Sequence, residues 1–509
     1  MRRSRGAFSR FLQGTIKLRY VHRTLALALV TWFCGVHIAC TSCGGPGTPV
    51  TGGQGPTGDG NDQSETAISV QGYGDRPVIT VTYNDETGNA GKIVYTPTQR
   101  TVYAGASLMG WSYSTDNGIH WTYGGKVTPG PDWPILWGDP AITASKTNQA
   151  IVFLSNLAVP ASKYPGPGGI IATKFSNGLA NAIGGACIAR STDYGKSFTS
   201  YQCVHEPTYD FYDGGNMASG PYGDIYAAYI DINTGQVDIW RSPTDSGTFS
   251  LMPNAFVGIS PTTHPRLRVW TDGTLYAAVR SSNGDVVINR FVNGNWGSPK
   301  AACHNVEQYP GIALSDRTLR TGPQFSFDVG APSIIGNDEV RVVCTTRDPQ
   351  TNRLFLEASF CPLDLSTGCL DAPGWATSTQ NSSGYDGDQF NPLIQAFPGF
   401  FSIPPIWKVS FLSREDDPHG NKVGVQQGNL AVLPAPGMQR VFLEFDLVTA
   451  QTICPDNRGY WGDYDDLRIF GFEGGYTQLI RTETDSSAGC TKRWDTNSEQ
   501  VHVSSATTD

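Results

Sequence analysis

The stretch Ser114-Thr115-Asp116-Asn117-Gly118-Ile119-His120-Trp121 returns as Ser191-Thr192-Asp193-Tyr194-Gly195-Lys196-Ser197-Phe198. A weaker copy, Pro243-Thr244-Asp245-Ser246-Gly247-Thr248-Phe249, follows. Each copy reads as a β-hairpin turn. The hydroxyl and carboxylate bond the turn's own backbone, the glycine takes positive φ, and the aromatic re-enters the core as the next strand begins. Residues spent in this way hold a turn together and need touch no ligand.

The rest of the chain agrees with a fold built from turns. With 59 Gly and 33 Pro in 509 residues, and 16% charged residues, it reads as all-β and large enough to bury a sizeable core. One unit recurs: a polar entry, a short strand, a turn, then a strongly apolar strand. It is seen at Gly138-Asp139-Pro140 with 150–154, at Asp213-Gly214-Gly215 with 224–229, and at His264-Pro265-Arg266 with 274–279. It returns at Gly322-Pro323-Gln324 with 339–343, at Asp388-Gln389-Phe390-Asn391-Pro392 with 407–411, and at Trp461-Gly462-Asp463-Tyr464 with 476–480. A further unit spans 92–127 and contains the first repeated turn, while 78–83 is a lone strand able to complete the last unit and close a ring. Recurrence every few tens of residues without helical segments points to a β-propeller.

The pattern S-x-D-x-G-x-x-W/F, carried by Ser114, Asp116, Gly118 and Trp121, by Ser191, Asp193, Gly195 and Phe198, and in part by Asp245 and Gly247, resembles the Asp-box, or bacterial neuraminidase repeat. That resemblance to sialidase-like propellers covers residues 75–509. It implies four-stranded blades, seven by the count of units or six as is usual for sialidases, with the boxes away from the active face. It also implies that the entry loops, and the loops after each second strand, line one pore mouth. Asp139, Asp213, His264, Arg266, Asp388, Asp463, Tyr464 and Asp465 would then gather there. Such a group could bind calcium, hold sugar hydroxyls or supply an acid and a base; no other cofactor is evident. The plainer reading, favoured for any single Asp, is that it caps its own tight loop. Trp133, Trp137 and Trp461 could stack on a sugar or simply pack between blades.

The sialidase catalytic set has no counterpart. In place of Arg-Ile-Pro stands Asp75-Arg76-Pro77-Val78, and between Arg76 and Ser114 the only acids are Asp85 and Glu86. Two functional classes stay open: a glycoside hydrolase acting on extracellular glycans, and a non-catalytic surface module binding glycan or protein.

The N-terminus sets the compartment. Residues 1–23 hold seven Lys/Arg and no acid, followed by the apolar run 24–39, which reads as an export signal. Cys40 and Cys43 each follow small residues, as in a bacterial lipoprotein cleavage box, with Cys40 the expected acylation site and free secretion the alternative. The segment 40–74, rich in Gly, Pro and Thr as far as Gly60, reads as lipid attachment and tether. The membrane would be met only through the lipid. Without the leader, 29 Lys/Arg face 45 Asp/Glu, a net charge of −16, which argues against nucleic acid as a partner. Eight cysteines follow Cys43, an even number that suits disulfides in an exported chain. The pairs Cys187–Cys203 and Cys361–Cys369 are expected, since each brackets a likely hairpin.

Overall fold

The structure is a computed structural model. It describes residues 48–49, then 63–308 apart from 73–76, 86–87, 90, 97–98, 117, 119, 174–177, 206–210 and 232–233. Beyond these it describes 311–313, 318–320, 324–330, 338–363, 376–379, 388–397, 406–414, 423–429, 451–453, 466–473, 476–486 and 499–508. Cys40, Cys43 and the leader lie outside these residues.

The fold is an all-β propeller within the compact unit Gly44–Asp509. Among the described residues, seven antiparallel sheets of four or more strands follow one another along the chain. Their innermost strands are, in order, Gln63–Gln71, Ile135–Ala144, Tyr212–Ser219, Arg266–Val269, Phe325–Gly330, Gln389–Phe397 and Asp466–Glu473. Each contacts the next, and Asp466–Glu473 contacts Gln63–Gln71, so the circuit closes. In the fourth sheet the third strand, Val286–Val292, pairs with both Asn295–Trp296 and Lys300–Cys303. The only helices among the described residues are the 3-10 turns Ala161–Lys163 and Ala180–Ala182, and neither is long and apolar enough to cross a membrane.

The second strand of each sheet explains why sheets stack face to face. Successive side chains of a strand point to opposite faces. In Val152–Val159, Phe153, Leu157 and Val159 enter the core shared with the third sheet, and Val152, Leu154 and Ala158 the core shared with the first. In Ile225–Asp231, Ile225, Ala227 and Tyr229 face the second sheet, whereas Tyr226, Ala228 and Ile230 face the fourth. The strands are mostly apolar because both faces are covered.

Two placements differ from the sequence reading. Gln63–Gln71 comes from the stretch read as tether; its pairing with Val78–Asp85 across a short connection buries Ala67 and Ile68. Val78–Asp85 is therefore the second strand of the first sheet. Closure falls instead to Thr48–Pro49, which pairs with Glu499–Thr508 at the outer edge of the seventh sheet.

The repeated turns join third and fourth strands in the first three sheets. Ser191 Oγ–H donates to Asp193 Oδ1 at 2.7 Å and accepts the Gly195 N–H at 2.9 Å, while Asp193 accepts the Ser197 N–H at 2.9 Å and the Ser197 hydroxyl at 2.7 Å. The turn at Ser114 repeats the scheme, with the Gly118 N–H on Ser114 Oγ and the His120 N–H on Asp116. The degenerate copy turns outward: Asp245 accepts Thr147 Oγ1–H at 2.7 Å, and its carbonyl accepts Arg190 Nε–H at 2.8 Å, tying the third sheet to the second. Partial burial disfavours the Asp193 charge, but its hydroxyl and N–H donors outweigh that and hold its carboxyl below the ordinary 3.8. Its stabilisation is thus present above that value and lost on acidification. Asp193→Ala should lower stability by ~1–2 kcal/mol in denaturant melts at neutral pH. The deficit should shrink as pH falls below 3.8; an equal deficit at all pH values would argue against this role.

Of the expected disulfides, Cys187–Cys203 is present, joining register partners on the third and fourth strands of the second sheet. Cys361 is also disulfide-bonded, and Cys369 lies outside the described residues. A third bridge, Cys303–Cys344, staples the fourth sheet to the fifth.

Candidate functional site

An antiparallel sheet fixes which loops share an end. The second strand finishes where the first began, so the loop after it lies beside the entry to the innermost strand, and the third-to-fourth turn lies at the other end. The repeated Ser-Asp-Gly turns are therefore opposite the entry loops. At the entry end the first two sheets carry insertions after their second strands. Ile93–Tyr95 and Gln99–Val102 from one, and Ile170–Thr173 from the other, form a three-stranded sheet.

Beside it two innermost strands break their regular pairing. The strand Ile135–Ala144 bulges between Trp137 and Ala141, and Tyr212–Ser219 bulges between Asp213 and Asn216. Gly138 (φ 55°), Asp139 (φ 53°) and Gly214 (φ 61°) all take the left-handed conformation, which glycine adopts freely and Asp tolerates better than most residues. A bulge re-aims side chains. Here the result brings donor atoms of Asp139, Asp213 and His264, from three successive sheets, within 4.8 Å of one another.

One backbone N–H orients both acids: Gly214 donates to Asp139 Oδ2 at 2.7 Å and to Asp213 Oδ1 at 3.0 Å. Asp213 Oδ2 lies 3.6 Å from Nε2 of His264, whose side chain is buried. The glycines are required. A Cβ on Gly214 would stand 2.3 Å from the His264 ring, and one on Gly215 2.9 Å from the Asp139 carbonyl oxygen. Burial opposes the Asp213 charge, yet the His264 ring, Asp139 and the Gly214 N–H bring its carboxyl down to about 2.

Asp388 is not one of this trio; before the innermost strand of the sixth sheet, its Oδ1 accepts the Leu354 N–H at 3.0 Å. Arg266 begins the fourth innermost strand, half-buried, two residues beyond His264. Asp463, Tyr464, Asp465 and Trp461 lie outside the described residues. Trp137 is buried under the Arg100 guanidinium, 4.6 Å above its ring, and Trp133 packs against His205 and Gly185. Both tryptophans make packing contacts. Gly214 and Gly215 escaped notice as site residues because their role depends on the neighbouring sheets, although a Gly-Gly pair beside an Asp was visible.

No family model matches the chain, and no curated protein matches it. In structure it is similar to a protein of unknown function from Dyadobacter fermentans, at 13% identity and TM-score 0.40 over 70% of this chain and 91% of that one. It is similar to the Hadza microbial sialidase Hz136 at 14% identity and TM-score 0.40, over 69% of this chain, and spans 63% of that sialidase's length. The six-bladed lectin of Aleuria aurantia gives 11% identity and TM-score 0.35, over 74% of this chain and 98% of the lectin. Likenesses this distant assign no activity.

Proposed function

We propose that this protein recognises or processes an extracellular glycan at the ring face carrying Asp139, Asp213 and His264. One observation supports the reading: two carboxylates and an imidazole from three separate sheets meet with donor atoms within 4.8 Å. Paired carboxyls can protonate a glycosidic oxygen and activate or replace a water, or they can hold the hydroxyls of a sugar without cleaving it. A net charge of −16 without the leader does not favour a polyanionic ligand.

The setting we propose is the cell envelope. The basic leader and apolar run provide export, acylation at Cys40 provides the anchor, and the disulfides suit an oxidising compartment.

A glycan array and a panel of fluorogenic glycosides, run on wild type and Asp213→Asn, test the reading. Wild type should bind a defined set of glycans, and Asp213→Asn, folded by circular dichroism, should lose at least ~10-fold in affinity, the scale of one charged contact. Turnover that disappears with the substitution identifies an enzyme; binding without turnover identifies a recognition module. A wild type that engages no glycan, or a variant that binds and turns over unchanged, contradicts the proposal.

A further inference from the structure

We propose that Asp139, Asp213 and His264 form a site for a divalent first-row transition metal ion of the zinc or manganese class, and not for calcium. This rests on the reading of the cluster as the functional site and adds the ion it would hold.

The donor set makes the first argument. Two carboxylate oxygens and an imidazole nitrogen suit zinc or manganese. Calcium is held by six to eight oxygens and has little use for imidazole. Spacing makes the second. The 3.6 Å between His264 Nε2 and Asp213 Oδ2 exceeds a hydrogen bond. Two ligands each about 2.1 Å from one ion at a tetrahedral angle stand about 3.4 Å apart, so the gap has room for a metal between the two groups. The three donors come from innermost segments of different sheets, so no local turn brings them together.

The cradle makes the third. Gly214 and Gly215 leave room that a Cβ would fill, at 2.3 Å from the His264 ring and 2.9 Å from the Asp139 carbonyl oxygen. The Gly214 N–H bonds one oxygen of each carboxylate. That is the outer-shell contact that fixes the plane of a ligating carboxylate. The competing account is a proton shared between the acids with His264 as counter-ion, and it requires no metal.

The full chain, stripped with a chelator, would be dialysed against Zn2+, Mn2+ or Ca2+ and analysed for bound metal by mass spectrometry and for thermal melting. Zinc or manganese should bind at about one equivalent per chain and raise the melting temperature by several degrees. Calcium should do neither. Asp213→Asn and His264→Gln, each folded by circular dichroism, should lose the bound metal. Absence of stoichiometric metal in wild type, restoration by calcium alone, or full metal content in both variants would overturn the inference. Glycan binding by a wild-type chain that takes up no zinc or manganese would overturn the metal and leave the glycan reading intact. Metal bound at the cluster in a chain that engages no glycan would keep the metal and remove the glycan reading.

Discussion

Gly214→Ala should destabilise the chain by ~2–5 kcal/mol and abolish whatever the Asp139–Asp213–His264 cluster binds. Two penalties add. The backbone sits at φ 61°, where a non-glycine residue is strained by ~1–2 kcal/mol. The new methyl would meet the His264 ring at 2.3 Å, and relieving such overpacking costs ~1–3 kcal/mol. Gly258 provides the control, because it has φ 79° and a methyl placed there would find nothing within 4 Å. Gly258→Ala should therefore show the backbone penalty alone. Denaturant melts of both variants decide the matter. If they lose the same stability, the close approach of His264 to Gly214 is wrong, and with it the packing of the third sheet on the fourth.

Removing the Cys303–Cys344 bridge as a double serine variant should cost ~4 kcal/mol, against ~3 kcal/mol for Cys187–Cys203, from the entropy of closing loops of different length in the unfolded chain. The sequence separations are 41 and 16 residues. The longer bridge also spans two sheets. Cys303 lies on a strand of the fourth and Cys344 on the second strand of the fifth, so its loss removes a covalent tie between neighbouring sheets. The shorter bridge stays within one sheet whose strands are already paired. Thermal or denaturant unfolding of the two double variants gives the order, and a larger loss for Cys187–Cys203 would contradict it.

What could be read from the sequence divides along the range of the interactions. The turns at Ser114 and Ser191 were legible because every bond that makes them lies within about one hairpin. The apolar second strands were legible because burial on both faces leaves few polar positions in stretches such as 152–159 and 225–231. Cys187–Cys203 could be inferred from a short loop across a hairpin. Cys303–Cys344 could not, because it depends on how two neighbouring sheets meet.

The candidate site shows the same divide. Asp139 and Asp213 stood out because Gly-Asp-Pro and Asp-Gly-Gly are polar entries to the repeated units. Asp388 looked alike, but its carboxylate is taken by the Leu354 N–H of the adjoining sheet. The 3.6 Å approach of His264 to Asp213, and the need for Gly214 between them, exist only once the third and fourth sheets are side by side. The strand Gln63–Gln71 was hidden for a different reason. It follows a Gly- and Pro-rich stretch, and its few apolar residues find cover only against Val78–Asp85 and the neighbouring sheets.

On the proposed reading, function resides in Asp139 and Asp213 as a pair, and not in the entry-loop acids at large. Binding isotherms for one array-identified glycan, measured on Asp139→Asn, Asp213→Asn and Asp388→Asn side by side, test it most directly. The account predicts that the first two lose binding, while Asp388→Asn, whose amide oxygen can still accept the Leu354 N–H, binds as wild type does. Equal loss in all three, or loss confined to Asp388→Asn, would contradict it.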